Sequence, residues 1–159
     1  MQYTLMDLLK VEHIVVGLDA LDARDAVDKL VQMLVATGHV TPEFAEDVWR
    51  REATFPTGLP TQPLAVAIPH ADPDHVFKSA VCIGVLKSPV KFAQMGTDGS
   101  TILDAHILFI LAIKEREKQV EMIQQLMTLI QSPMLLEGLT KTQDPDSAIE
   151  LIRQTLNEA

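Results

Sequence analysis

Three apolar runs limit this chain more than any other feature: "LAVAI" at 64–68, "AVCIGVL" at 80–86 and "AHILFILAI" at 105–113. All have strand length and strand composition, and they lack regular polar alternation. A strand with one wet face alternates apolar and polar residues, whereas an unbroken apolar run needs cover on both faces. "EHIVVGL" at 12–18 and the short "VKFA" at 90–93 add further strand-like segments. The expected fold is therefore α/β: a mixed β-sheet of about five strands sandwiched between helices, forming one domain over residues 1–159.

The covering helices are legible on either side. Asp22 caps a first helix, with Asp25 three residues on. Val27, Leu30, Val31, Leu34 and Val35 follow helical spacing, and Gly38 stands at the stop. Thr41 and Pro42 read as the cap and first turn of a second helix, which carries Phe44, Val48 and Trp49 on one face and ends near Phe55. "PTGLPTQP" at 56–63 follows, and its prolines and glycine predict an ordered surface loop. From Glu115 the period is helical again, with Val120, Ile123, Met127 and Ile130 assigned to the inner face. Ser132-Pro133 opens a short helix that Gly138 can close, and Asp144-Pro145 opens the last one, with Ile149, Ile152 and Leu156 facing in.

Composition excludes several classes. The net charge is −9, which leaves no basic stripe for nucleic acid. The single cysteine, Cys82, allows no internal disulfide and no cysteine zinc cluster, and it reads as a small core residue. The first residues lack the basic and apolar regions of a leader peptide. No apolar stretch reaches the ~20 residues that span a bilayer, so direct membrane insertion is not expected and the cytoplasm is the expected compartment.

His70 is the sharpest candidate for chemistry. Proline pushes the residue before it into extended geometry and fixes its own φ. Ile68-Pro69 thus ends a strand stiffly and gives His70 a defined direction. Carboxyl ends of strands in open α/β sheets are common places for ligands. Three neighbours strengthen the reading. His75 follows across the turn-forming Asp72-Pro73-Asp74, which allows the two imidazoles to approach. Arg50-Arg51 ends the second helix and offers guanidinium forks suited to phosphate. Thr57 and Gly58 lie in the stiff loop between them. Plainer readings stand beside these: His75 as a surface loop residue, and the arginine pair as a solvated helix end.

Other chemistries fit less well. His70, Asp72, Asp74 and His75 are potential metal ligands, but their spacing is irregular and a nearby arginine opposes a cation, so no metal is expected. There is no nucleophile elbow, Walker loop or dinucleotide fingerprint, and no cofactor is expected. His13 and His39 fall at element edges and are expected at the surface. His106 lies within a strand and reads as a core or sheet-face residue. A neutral imidazole beside a guanidinium can take a phosphoryl group covalently and needs no bound nucleotide if the donor is a phosphoprotein.

"REATFPTGLPTQPLAVAIPHA" at 51–71 resembles the active-site signature of the fructose–mannitol-type (type 2) enzyme IIA domains of the bacterial sugar phosphotransferase system (PTS). The likeness covers almost the whole chain. It implies the mannitol-type IIA fold. It also implies that His70 accepts a phosphoryl group from the phosphocarrier HPr and passes it to a cysteine of a IIB partner, while the membrane IIC subunit imports the sugar. Arg51 matches the family arginine that contacts phosphate, and Glu52 is expected to be structural. The "FPTG" loop and His75, five residues after His70, look like the galactitol branch, and His75 is read as a supporting group. Mannitol-type domains carry a histidine early in the helix after the last long strand. "KEREKQVEMI" has none, although Lys118 lies close to that place. Galactitol, another polyol or a pentitol is compatible as substrate. Two alternatives remain: a regulatory phosphoprotein of the nitrogen-related type, and a binding module in which His70 is structural.

Overall fold

The computed structural model describes residues 3–158. Met1 and Gln2, the start of the segment read for a leader, lie outside the described residues. The elements run β1 (Ile14–Leu18), α1 (Ala23–Ala36), α2 (Phe44–Thr54), β2 (Gly58–Leu59), β3 (Ala65–Ala67), β4 (Ala80–Ala93), β5 (Ile102–Ala112), α3 (Arg116–Leu129), α4 (Pro133–Lys141) and α5 (Pro145–Glu158). The five strands form one mixed sheet in the order β1-β4-β5-β3-β2. β1 is parallel to β4, and β3 is parallel to β5. The β4–β5 and β2–β3 pairs are antiparallel.

The unbroken apolar runs do cover two faces. Ile107, Phe109, Leu111 and Ile113 pack on one side against Met122, Leu126, Leu136 and Ile152 of α3, α4 and α5. Leu108, Ile110 and Ala112 point the other way, against Leu30 and Leu34 of α1 and Phe44 and Val48 of α2. A period of two within an all-apolar strand serves both layers. Cys82 is buried in the second layer. Its Sγ lies 3.5 Å from the Leu30 carbonyl, and burial pushes the thiol up to about 12.

Helix ends follow the expected chemistry in part. The Asp22 carboxylate accepts from the Asp25 N–H at 2.8 Å, and Ser132 accepts from the Leu135 N–H at 3.2 Å. Gly38 takes φ +78° after α1, a left-handed stop that L side chains resist.

Several expectations need correction. The 80–86 and 90–93 segments are one strand, β4, with a register shift between Val85 and Val90. The exposed Lys87-Ser88-Pro89 step interrupts its apolar pattern. Helix α2 starts at Phe44, because Thr41-Pro42 forms a turn closed by Phe44 N–H to the Thr41 carbonyl at 3.0 Å. Gly138 lies inside α4, where Leu151 Cδ2 would be 2.6 Å from an added Cβ. Gly138 therefore serves helix packing, not termination. On α3 Val120 stands 63% exposed instead of facing in, while Ile123 and Met127 pack half-buried against the core beside the buried Met122, Leu126 and Leu129, and Ile130 is buried at the helix end.

The proline-rich loop is not wholly at the surface. Thr57, Gly58 and Leu59 are buried, with Gly58–Leu59 paired to β3 as the edge strand. An added Cβ at Gly58 would lie 2.6 Å from the Ala93 carbonyl oxygen, so only glycine fits there. His13 and His39 are also buried, at 0% and 5% exposure. Each ring places a nitrogen 2.9 Å from the Thr37 hydroxyl, so one side chain bonds both, while Nδ1 of His13 is buried with no hydrogen-bond partner among the described residues.

Candidate active site

His70 stands just past the carboxyl end of β3. The Leu111 N–H bonds the Pro69 carbonyl at 3.2 Å, and His70 bridges Leu111 of β5 in parallel register. Proline cannot donate to the ladder, but its carbonyl still accepts. The backbone before the imidazole is thereby fixed to the centre of the sheet.

His70 is 7% exposed, and its Nδ1 lies 2.8 Å from the Ile68 carbonyl oxygen. A carbonyl only accepts, so Nδ1 carries the proton and Nε2 carries the lone pair. Burial is the main influence lowering the imidazole pKa. The Ile68 carbonyl opposes this, the Arg51 charge lowers it further, and Asp72 raises it. The net direction is downward, so the ring is neutral at cell pH.

The remaining edge of His70 opens into a cleft of about 300 Å³ walled by Arg51, Thr54, Phe55, Thr57, Met95 and Ile123. Arg51 comes from the last turn of α2, its guanidinium 5.4 Å above the Phe55 ring. Its Nε is buried and has no hydrogen-bond partner among the described residues. A buried donor of this kind is costly unless an acceptor arrives. The same side chain lines a second, adjoining cleft with Asp47, Arg50, Ala71, Asp72 and Asp74.

Glu52, the next residue, points inward and is 7% exposed. Its carboxylate accepts the Thr57 N–H at 2.8 Å and the Thr57 hydroxyl at 2.7 Å. Burial raises its pKa, and the two Thr57 bonds oppose the rise. The adjacent residues Arg51 and Glu52 therefore do different work, one on the cleft and one on the loop that rims it.

The structure brings Arg51 to His70, but it places His75 elsewhere. His75 is hydrogen-bonded through Nδ1 to the Asp47 carboxylate of α2. It is not among the residues walling the His70 cleft. The cause lies in the backbone: the Thr41 N–H bonds the His75 carbonyl at 3.0 Å, and Val40 bridges Val76. These bonds hold the 73–76 turn against the start of α2. Asp47 raises the His75 pKa.

Sequence reasoning missed Met95 and Ile123 as cleft walls, and it missed Gln119, whose amide donates to the Ala71 carbonyl at 2.9 Å. No spacing in the sequence announces these residues, since only chain folding gathers them. Asp72 reads as a potential metal ligand in the sequence. It faces Arg51 and Arg116 instead. No group of three or more His, Cys, Asp or Glu side chains placed to hold a metal occurs among the described residues.

The same fold occurs in the mannitol IIA of Escherichia coli, with a TM-score of 0.74 over 91% of this chain and 98% of that one, at 24% identity. The IIA component in the Escherichia coli complex of mannitol IIA with phosphorylated IIB matches at 26% identity and TM-score 0.74, covering 92% of this chain and 97% of that one. Among curated proteins, the galactitol-specific EIIA component of Escherichia coli K12 is 25% identical over 123 residues, which is 77% of this chain and 81% of that protein. Fold and similarity together define a IIA-type component of sugar transport. The family model described as "Phosphoenolpyruvate-dependent sugar phosphotransferase system, EIIA 2" matches residues 7–155, and the chain belongs to that family. Its members are phosphotransfer components. No helix among the described residues is long and apolar enough to cross a membrane.

Proposed function

We propose that the chain accepts a phosphoryl group from phospho-HPr on Nε2 of His70 and delivers it to a cysteine of a IIB partner at the cytoplasmic side of a polyol transporter. The observation that carries this reading is the His70 ring itself: proton fixed on Nδ1 by the Ile68 carbonyl, Nε2 directed to a cleft that Arg51 shares.

In the first step the Nε2 lone pair attacks the donor's phosphorus. The N–P bond of the donor phosphohistidine breaks, and its electron pair returns to the donor imidazole. Negative charge spreads over the equatorial oxygens, where the unpaired Nε–H of Arg51 can meet it. The Ile68 carbonyl stabilises the positive charge that develops on the His70 ring. In the second step a thiolate attacks, an S–P bond forms and His70 regains its lone pair. His75 contributes at a distance, by fixing the turn that carries Asp72.

Incubation with phosphoenolpyruvate, enzyme I and HPr should add one acid-labile phosphoryl group to the wild type and none to His70→Ala. An unchanged mass in the wild type, or full labelling of His70→Ala, defeats the reading. The galactitol assignment rests on the curated relative and predicts faster transfer to a galactitol IIB than to a mannitol IIB. Phosphorylation without transfer to any IIB cysteine favours the regulatory alternative.

A further inference from the structure

Asp72, two residues beyond His70, faces two guanidinium groups with one oxygen. Its Oδ1 lies 4.0 Å from Arg51 Nη1 and 3.5 Å from Arg116 Nη1. Arg116 Nη2 also reaches Asp74 Oδ1 at 4.0 Å. On the next turn of α3, Gln119 holds the Ala71 carbonyl. The segment after His70 is thus clamped between the end of α2 and the start of α3. Building on His70 as phosphoryl acceptor, we propose that Asp72 is a positioning residue that competes with the phosphoryl group for Arg51, and that Arg116 takes Asp72 over when His70 is phosphorylated.

The three side chains are 38%, 54% and 63% exposed in the order Arg51, Asp72, Arg116. Exposed ion pairs are weak, and an exchange needs pairs that break easily. A phosphoryl group brings close to two negative charges and three acceptor oxygens. It outmatches one carboxylate for a guanidinium fork. Its charge also repels Asp72, and Arg116 is already in reach to receive that carboxylate. While Asp72 faces Arg51, part of the cationic field is neutralised, so the phosphorylated state is held less tightly and the group stays transferable. Asp72 also raises the pKa of the His70 ring, which shows its charge acting at the same site.

The test uses phosphoramidate as donor, with no partner protein. The donor P–N bond breaks, ammonia leaves and an Nε2–P bond forms. After donor removal, phosphorus NMR at neutral pH follows the half-life of the phosphohistidine. Asp72→Asn should lengthen the half-life about two- to five-fold, and Arg116→Gln should shorten it, by the scale of an exposed pair. The double variant should behave as Asp72→Asn, because Arg116 acts only through Asp72. The Arg51 Nε–H resonance should move on phosphorylation in the wild type and move further in Asp72→Asn. An Asp72→Asn half-life equal to or below wild type overturns the inference and leaves His70 standing. So does a double variant that follows Arg116→Gln, and a half-life in Arg116→Gln at or above wild type removes Arg116 from it. No labelling of wild type, or equal labelling of His70→Ala, overturns the acceptor reading beneath it.

Discussion

The imidazole of His70 donates from Nδ1 to the carbonyl of Ile68, two residues earlier in its own chain, at 2.8 Å. That one bond settles which nitrogen holds the proton, and it does so with backbone, which no rotamer change can withdraw. The phosphoryl group should therefore sit on Nε2. Long-range proton–nitrogen spectra of the phosphorylated protein check this, and a modified Nδ1 would refute it.

The pH profile of phosphoryl acceptance follows from the same ring. Burial and Arg51 lower the His70 pKa below the ordinary imidazole value of about 6.5. The protonated ring has no lone pair to attack with. Acceptance should stay level from neutral pH upward and fall only as acid takes the pH below that ordinary value. Stopped-time labelling between pH 5 and 8 (roughly the imidazole range) gives the profile, and a rate still climbing above neutral pH contradicts it.

Glu52 supports the cleft by holding Thr57 twice. Glu52→Ala leaves a buried N–H and a buried hydroxyl without their acceptor, a loss of about 2–4 kcal/mol. Glu52→Gln keeps one carbonyl oxygen and should lose less. Urea denaturation ranks the two. Phosphoryl acceptance should drop in Glu52→Ala even at temperatures where the protein is fully folded.

Gly58→Ala drives a Cβ to 2.6 Å from the Ala93 carbonyl oxygen, and backbone at that point cannot retreat. The expected loss is about 1–3 kcal/mol. Gly138→Ala meets only the mobile end of Leu151 and gains helix propensity, so it should be the milder variant. Thermal melts that reverse this order would refute the account of β2 as a strand pressed against β4.

The His13–Thr37–His39 cluster predicts acid sensitivity. The Thr37 hydroxyl reaches the Met33 carbonyl at 3.1 Å, so its proton goes there and it accepts from both rings. Burial is the main cause lowering both pKa values. His39 adds to it for His13, and Lys78 and Lys10 for His39. A histidine with a lowered folded pKa leaves the unfolded state binding more protons in acid. Stability is therefore complete above about 6.5 and is lost as pH falls toward the folded values. His39→Asn keeps a donor for Thr37 and removes one titration, so its melting temperature should vary less between neutral and acid pH. His75 works in the other direction, since Asp47 raises its pKa: its contribution is complete below the ordinary value and fades as pH climbs through the folded one.

Much of this was legible in the residues. Apolar runs without alternation specified a sheet covered on both faces, and Pro69 marked the strand end that delivers His70. Asp22, Gly38 and Ser132 marked helix ends by local hydrogen bonding. What stayed hidden depended on contacts between distant segments. His75 follows a turn that favours closeness to His70, yet pairing of 75–76 with 40–41 carries it to Asp47. His13 and His39 look peripheral until α1 brings Thr37 between them. Gly58 looks like a loop residue until β4 passes beneath it. On α3 the period groups Val120 with Ile123, Met127 and Ile130, and only packing shows that the core takes those three together with Met122 and Leu126 and leaves Val120 outside.

The bond from the Leu111 amide to the Pro69 carbonyl also bears on dynamics. An amide in a buried central strand trades its hydrogen for deuterium only when the surrounding structure opens. The peptide that precedes His70 shares that fate, so Leu111 should exchange among the slowest sites in the chain. The His70 ring is thus carried by one of the least yielding parts of the protein, and the freedom to move lies with the exposed side chains around it, Arg116 among them.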